Sequence, residues 1–224
     1  MIDARVKRSA ASGQSADVLR VAEGRQLHAA AVAAADNVGV LACAGITLTD
    51  PMGSWTAAAS HEVVRRLDGL QHMLREGPCV AAMSAGHLVT CDDLEADCPW
   101  SEFAPRAVHN GVHSVLSVPF DDRGRTAVLN LYGMRRGGFG AEAPDLATAL
   151  AAEVAVIVAA VRRAEHLTVA LDFRDLIGQA KGIIMERHKV DADHAFALLS
   201  RLSQERNVKL HDVAREVVRT GEVG

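Results

Sequence analysis

Residues 112–132, VHSVLSVPFDDRGRTAVLNLY, contain the clearest strand pattern in the first part of the chain. Two runs rich in branched and aromatic residues, Val112–Pro119 and Thr126–Tyr132, flank the turn sequence DDRG at 121–124. In the first run the side chains alternate between two faces, which is the period of a β-strand. Two such runs joined by a short turn predict a β-hairpin and therefore an antiparallel pair of strands.

The segment before the hairpin mixes helical and extended patterns. Apolar residues at helical spacing predict helices over 18–37, 63–74 and 100–110. Apolar runs closed by turn signals predict strands over 38–48 and 87–90. We therefore expect an α+β domain with an antiparallel sheet and flanking helices over residues 18–140. Residues 1–17 are rich in Ala, Ser and Gly and are predicted to be poorly ordered.

The signals typical of strands end at Gly140, and a helical stripe follows. Its apolar residues step alternately by four and three positions, which is the heptad spacing of a coiled coil. We predict a coiled-coil-like connecting helix over 141–172 that pairs two chains, while the same stripe also fits packing against the chain's own sheet. The predicted dimer seam consists of Leu150, Val154, Ile157, Val161 and Leu171.

The last part of the chain shows three short helical patterns. Phe173 begins the first, Asp191 or Asp193 is suited to cap the second, and Asn207 is suited to end it. The third begins near Leu210. This predicts an all-α three-helix bundle over 166–224, in which Phe173 and Phe196 are expected to be core residues.

The composition excludes some classes of protein. Hydrophobic residues make up 49% of the chain and its formal net charge is -4. A protein that coats nucleic acid by electrostatics alone usually has a basic excess, although a local basic face remains compatible with these numbers. The start of the chain lacks the apolar run of a signal peptide, and the apolar stretch Leu146–Val161 is shorter than the roughly 20 residues that cross a bilayer. We expect a soluble cytoplasmic protein without a membrane partner.

No catalytic or metal-binding pattern stands out in the sequence. It contains no phosphate-binding loop and no HExxH motif, and nothing pairs a nucleophile with a base and an orienting acid. The four cysteines, Cys43, Cys79, Cys91 and Cys98, do not show zinc-ligand spacing and are expected to be reduced core residues. We therefore expect no catalytic residue, no metal ion and no cofactor.

Three C-terminal motifs carry a family resemblance: IGQAKGIIM at 177–185, DHAFALL at 193–199 and SQERNVKLHDVA at 203–214. In this order and spacing, the segment 166–220 resembles the ANTAR family of RNA-binding antiterminator modules. The resemblance implies binding to hairpin loops in nascent transcripts. The family pattern has a basic residue where this chain has Ser200, with Arg201 following it.

Four N-terminal motifs carry a second resemblance: LDGLQ at 67–71, EGPC at 76–79, GVHSVLSVP at 111–119 and LNLY at 129–132. Residues 18–160 resemble the GAF sensor domains that precede ANTAR modules in actinobacterial-type regulators. Related GAF segments often have an acidic residue where this chain has Ala81 and Ala82. A small-molecule pocket would be lined by four side chains that equally suit a domain core: Met83, Trp100, Phe103 and Tyr132.

The candidate RNA-binding residues lie in the C-terminal motifs. Gly182 costs a helix about 1 kcal/mol relative to Ala, which suggests close approach of another backbone or a ligand beside Lys181. The alternative is helix–helix packing at Ala180 and Gly182 with Lys181 solvated. Side-chain amides can form hydrogen bonds with unpaired bases, and cationic side chains can bind phosphates. The predicted RNA-binding residues are Gln179, Lys181, Gly182, Arg187, Arg201, Arg206, Asn207, Lys209 and Arg215.

Together these patterns predict a homodimeric RNA-binding transcription antitermination regulator with a GAF-like domain that senses a ligand or partner, and not an enzyme. One alternative is a metabolite sensor that signals through a protein partner. The other is a DNA-binding helix-turn-helix regulator. A recognition helix should be polar and basic, and the acidic Asp212 and Glu216 beside Arg215 disfavour the second alternative.

Overall fold

A computed structural model describes residues 24–38, 42–96 and 98–222. These residues divide after Arg162 into two compact units, which we call the sheet unit and the helical unit. Each unit is described by itself below. The prediction that residues 1–17 are poorly ordered lies outside the described residues.

The sheet unit contains a five-stranded antiparallel sheet with the strand order β2-β1-β5-β4-β3. The predicted hairpin is confirmed: β4 and β5 pair with Asp121 opposite Thr126, and both strands begin or end within two residues of the predicted bounds. The strands are β1 (Ala42–Asp50), β2 (Gly53–Ala59), β3 (Val89–Cys91), β4 (Ser114–Asp121) and β5 (Thr126–Gly133).

Helices flank this sheet, so the predicted α+β fold class is confirmed. They are α1 (residues 24–38), α2 (Glu62–Leu74), α3 (Pro78–Ala85), α4 (Phe103–His109) and the beginning of α5 (Ala143–His188). Helix α2 begins where His61 Nδ1 accepts a hydrogen bond from the Val63 amide. It ends at Arg75, whose left-handed backbone turns the chain.

Two hydrophobic clusters build the unit in layers. On one face of the sheet, α1 and α5 contribute Ala31 and Val158 to a core that includes Leu129 of β5. In the other cluster, α2 and α4 contribute Leu67 and Phe103, which are fully buried. The α1 residues in this core are mostly alanines, so α1 packs closely against it. The larger branched side chains in the core come from α5.

Helix α5 continues without a break from Ala143 to His188. Its first part packs in the sheet unit, where Val154 and Val161 are 3% and 4% exposed. The predicted seam is therefore corrected for Leu150, Val154, Ile157 and Val161, because these residues pack within their own chain. Spacing alone did not distinguish the two outcomes, since a sheet and a partner helix both favour the same apolar stripe.

By length and composition alone, α5 resembles a membrane-spanning helix. It contains an 18-residue window with a mean hydropathy of 1.8, of which 33% is buried. The core contacts of Val154 and Val158 account for part of this apolar character. At the end of this part, Arg162 Nε lies 2.7 Å from the carboxylate of Asp122, which is itself buried.

The helical unit contains the second part of α5 together with α6 (Ala192–Arg206) and α7 (Leu210–Thr220). The predicted caps are confirmed: Asp191 accepts hydrogen bonds from the amides of Asp193 and His194, and Asn207 ends α6 in the left-handed conformation. The buried core of this unit consists of Ala180, Ile184, Ala195, Leu199, Val213, Ala214 and Val217.

Neither phenylalanine of the helical unit belongs to this buried core, so that prediction is wrong. Phe173 is half-buried and stacks on the His211 ring, with 4.3 Å between the ring centres. Phe196 is 43% exposed. The core face of α6 runs through Ala195 and Leu199, and one residue further along a helix points about 100° away.

Candidate functional site

An open groove with a volume of about 570 Å³ lies between α5 and the end of α7. It brings together three of the predicted RNA-binding residues, Gln179, Gly182 and Arg187, with Arg219, which the sequence analysis did not select. The complete lining is Gln179, Gly182, Ile183, Glu186, Arg187, Val218, Arg219, Thr220 and Gly221. An amide, two guanidinium groups and the carboxylate of Glu186, which pairs with Lys189 at 2.6 Å, therefore line one concave surface.

Gly182 lies in this groove without an intrachain reason for being glycine. A Cβ atom at this position would meet nothing within 4 Å among the described residues, and the same holds for Gly178 one turn earlier. Packing therefore accounts for the fully buried Ala180 but not for Gly182. Each glycine costs the helix about 1 kcal/mol relative to Ala and leaves the helix backbone beside it uncovered.

Lys181 lies outside the groove lining and interacts with α6. Its ammonium lies 5.8 Å from the ring centre of Phe196, which is within the range of a cation–π contact. Lys181 itself is half-buried, and Met185, one turn further along α5, is exposed. The predicted residues of α5 therefore lie on two flanks of that helix, one in the groove and one beside α6.

Three of the predicted arginines form ion pairs on the surface. Arg201 pairs with Glu205 at 3.7 Å, Arg206 with Glu216 at 3.1 Å and Arg215 with Asp212 at 2.5 Å. An arginine in such a pair must release its carboxylate, or share it, before it binds a phosphate. Sequence spacing showed the charges but not which of them are paired.

The other predicted cations are differently placed. Within the part of the chain that the structure describes, Arg187, Lys209 and Arg219 have no carboxylate within 4 Å. Lys209 precedes α7, and Asn207 is exposed at the end of α6. The structure therefore leaves Arg187 and Arg219 as two cations that share the groove.

The sheet unit holds a buried polar network that the sequence analysis missed. At its centre, the Asp68 carboxylate of α2 accepts hydrogen bonds from Tyr132 Oη, from Thr56 Oγ1 at 3.0 Å and from Asn130 Nδ2 at 3.3 Å. Burial raises the pKa of Asp68 from its ordinary value of 3.8 to about 6, although these hydrogen bonds act in the opposite direction. A buried acid with several donors is held in a fixed position.

The network continues through Gln71 to the segment that follows α2. Gln71 Nε2 donates to Tyr132 Oη at 2.7 Å, and Gln71 Oε1 accepts from the Cys79 amide at 2.8 Å. Burial and the nearby Asp68 raise the pKa of the Cys79 thiol to about 12, so the thiol stays protonated at neutral pH. The sequence signal for this network was a pair of polar residues, Asp68 and Gln71, on the apolar face of a helix.

The four predicted pocket residues separate into two groups. Trp100, Phe103 and Tyr132 lie in one buried cluster, where the Trp100 and Phe103 rings meet edge to face at 6.5 Å. Met83 packs elsewhere, against Cys79 and other residues. Trp100, Phe103 and Tyr132 are therefore core residues, which is the alternative to pocket lining that the sequence left open.

All four cysteines lie in the sheet unit. Cys91 and Cys98 are neighbours there, with a Cα–Cα distance of 6.4 Å and their sulfur atoms in contact. Cys43 and Cys79 are free. Among the described residues, no group of three or more His, Cys, Asp or Glu side chains is arranged to hold a metal ion.

Comparison with known families decides the identity of the two units. A GAF domain profile matches residues 25–159, and an ANTAR domain profile matches residues 165–218. The chain belongs to the GAF–ANTAR family. Lys181, Phe196 and most of the groove lie in the segment matched by the ANTAR domain, and Arg219, Thr220 and Gly221 follow it directly. The buried network of Asp68 lies in the GAF domain.

Two solved structures are similar to part of this chain. The type II free methionine-R-sulfoxide reductase from Thermoplasma acidophilum is 17% identical, with a TM-score of 0.51, over 62% of this chain and 94% of that chain. The GAF domain of a phosphoenolpyruvate-protein phosphotransferase from Coxiella burnetii is 17% identical, with a TM-score of 0.48, over 70% of this chain and 94% of that chain. No curated protein matches this chain. At these identities the likeness to the reductase shows the fold alone.

Proposed function

We propose that this GAF–ANTAR protein is a cytoplasmic regulator that binds hairpin loops in nascent RNA and thereby prevents terminator formation. The observation that carries the proposal is the groove of the helical unit, where Gln179, Gly182, Arg187 and Arg219 meet. RNA loops present unpaired bases and phosphates on one surface. An amide, two cations and an exposed helix backbone match those groups.

Each part of the groove has a distinct role in this proposal. The guanidinium groups of Arg187 and Arg219 bind phosphates, because a planar fork of donors fits phosphate oxygens. The amide of Gln179 reads a base edge through its paired donor and acceptor. Gly182 lets the RNA approach the helix backbone, which explains why a residue without a Cβ stands there.

The DNA-binding alternative is less consistent with the third helix. In α7, Asp212 forms an ion pair with Arg215, and Glu216 forms an ion pair with Arg206 of α6. A recognition helix that enters the major groove needs donors free to reach base edges. On α7 these acidic side chains offset the basic ones.

We propose that the protein is a homodimer and that the second copy packs on the helical unit's part of α5. Leu167 and Leu171 are 59% and 53% exposed and lie one turn apart, so they form a two-residue apolar stripe on the helix surface. Two such stripes, one from each copy, can pack against each other as in a coiled coil. Linking two RNA-binding units raises the effective concentration of the second, so that weak single contacts give useful affinity.

The proposed role of the GAF domain is to sense a small molecule or a partner. Val154, Val158 and Val161 of α5 lie in the core of the sheet unit. A ligand that favours one arrangement of this core therefore also favours one position of α5. We propose that the domain is not catalytic, since its candidate nucleophile, Cys79, is buried and protonated.

Sequencing of RNA that co-purifies with the full chain tests the proposed function. We expect enrichment of hairpins that precede terminators, and we expect the double change Arg187→Gln and Arg219→Gln to abolish it. On a recovered hairpin, the salt dependence of binding should flatten by about 1.4 in log–log slope, because two phosphate contacts are lost at about 0.7 each.

Arg174→Gln is the matched control, because Arg174 is an exposed arginine of α5 that does not line the groove. It should retain wild-type affinity. Recovery of duplex DNA instead of RNA supports the helix-turn-helix alternative. Recovery of a defined protein without any nucleic acid supports a sensor that signals through a protein partner, and either result contradicts the proposal.

A further inference from the structure

Phe196 and Lys181 form a second surface feature of the helical unit, outside the groove. Phe196 of α6 is 43% exposed, although Ala195 and Leu199 of the same helix are fully buried. The Lys181 ammonium lies over its ring at 5.8 Å from the centre. The ring is therefore presented to solvent beside a cation from another helix.

An exposed phenylalanine has no evident role in the folding of this unit. The core is already formed by small and branched residues of all three helices, and Phe196 is not among the residues packed against it. A cation–π contact at an exposed site is weak, so its contribution is small beside the burial of an aromatic ring. The side chain is thus better suited to contact another molecule.

The pair has the two properties that single-stranded RNA recognition uses. Unpaired bases stack on aromatic rings, and this stacking is tolerant of sequence because every base has a flat face. Cations beside the ring bind the phosphate that follows the base. Lys181 has no ion pair with a carboxylate in the described part of the chain, so its charge is available once it leaves the ring.

We propose that Phe196 is a stacking platform for one unpaired base of the RNA loop, and that Lys181 moves from the ring to an adjoining phosphate when the base stacks. This inference rests on the proposed function and adds to it a site for base contact outside the groove. Phe196 contributes to affinity without neutralising charge. Lys181 contributes through charge.

The two contributions are separable by experiment. RNA hairpins with randomised loops are first selected on the full-length wild-type protein, and the selected hairpin then carries 2-aminopurine at each loop position in turn. On wild-type protein we expect quenched 2-aminopurine fluorescence at one position. Phe196→Leu should remove this quenching and weaken binding about 5- to 150-fold, the range of one base stacked on an aromatic ring.

The salt dependence distinguishes the two side chains. Phe196→Leu should leave the log–log slope unchanged, whereas Lys181→Met should flatten it by about 0.7, the value for one phosphate contact on a single strand. Phe196→Tyr should retain both quenching and affinity because it keeps the ring. Val169→Ala, which truncates an apolar residue 46% exposed on α5, should behave like wild type.

The outcomes also separate this inference from the proposed function. If wild-type protein selects no hairpin over a duplex of equal composition, the proposed function fails. If it selects a hairpin that Phe196→Leu binds with unchanged affinity and quenching, the platform is refuted while RNA binding stands. If Phe196→Leu instead changes the oligomeric state in light scattering and leaves quenching unaltered, Phe196 contacts protein and the platform is likewise refuted. Circular dichroism melting of each variant confirms that the helices remain folded.

Discussion

The carboxyl group of Asp68 is buried in the GAF domain and accepts hydrogen bonds from three side chains. Its pKa is raised to about 6 by burial, whereas an unfolded chain releases the proton near pH 4. The folded protein therefore holds a proton that the unfolded chain has lost between these pH values. By linkage, the stabilisation is fully present below about pH 4 and is lost as the pH rises through 6.

We predict that Asp68→Asn removes this pH dependence. Relative to the variant, the wild-type GAF domain should lose about 2 kcal/mol between pH 4 and pH 7. One unit of difference in pKa corresponds to about 1.36 kcal/mol, and part of the loss has already occurred at pH 4. Thermal melts followed by tryptophan fluorescence measure it in the full chain, because both tryptophans, Trp55 and Trp100, lie in the sheet unit. The exposed Asp36→Asn is the control. Parallel pH profiles for wild type and Asp68→Asn would contradict the assignment.

Among the elements, those with a clear local period were predictable. The hairpin of β4 and β5 and the three helices of the ANTAR segment follow from alternation, helical spacing and caps. Strand β2 was missed because its second half is a run of alanines, which has a weak strand preference. Helix α3 was missed because Gly77-Pro78 resembles a stop, although proline fits the first turn of a helix.

Helix α5 shows what periodicity does not decide. A heptad stripe predicts an apolar face but not what covers it, and the sheet unit covers Val154 and Val161. The exposed leucines, Leu167 and Leu171, lie further along the helix, and only Leu171 belonged to the predicted seam. The proposed dimer contact therefore moves to the helical unit's part of α5.

We predict that changing Leu167 and Leu171 to Lys together gives a monomer in light scattering. Both side chains are more than half exposed, so the melting temperature should change little, while two charges oppose pairing of identical helices. Affinity for a single RNA hairpin should be retained, and affinity for two linked hairpins should fall. A double variant that remains dimeric would show that another surface holds the copies together.

Across the whole chain, the residue types of the proposed RNA site were predictable and their grouping was not. Gln179, Gly182 and Arg187 were selected from the sequence and share one groove, but Arg219 was recognised only in three dimensions. Arg201, Arg206 and Arg215 were equally plausible in sequence and are held by carboxylates from neighbouring turns or helices. The pattern of α2 places Asp68 and Gln71 on an apolar face, but their shared partner, Tyr132, lies in a distant segment that this pattern does not identify.

Terminator readthrough in transcription reconstituted with purified components tests the proposed antitermination directly. The template carries a hairpin recovered with the protein, placed upstream of its own terminator. We predict that the full-length chain increases readthrough, that the Arg187→Gln and Arg219→Gln double variant does not, and that Arg174→Gln acts like wild type. Readthrough that is unchanged by the wild-type protein, on a hairpin that it binds, would contradict the account.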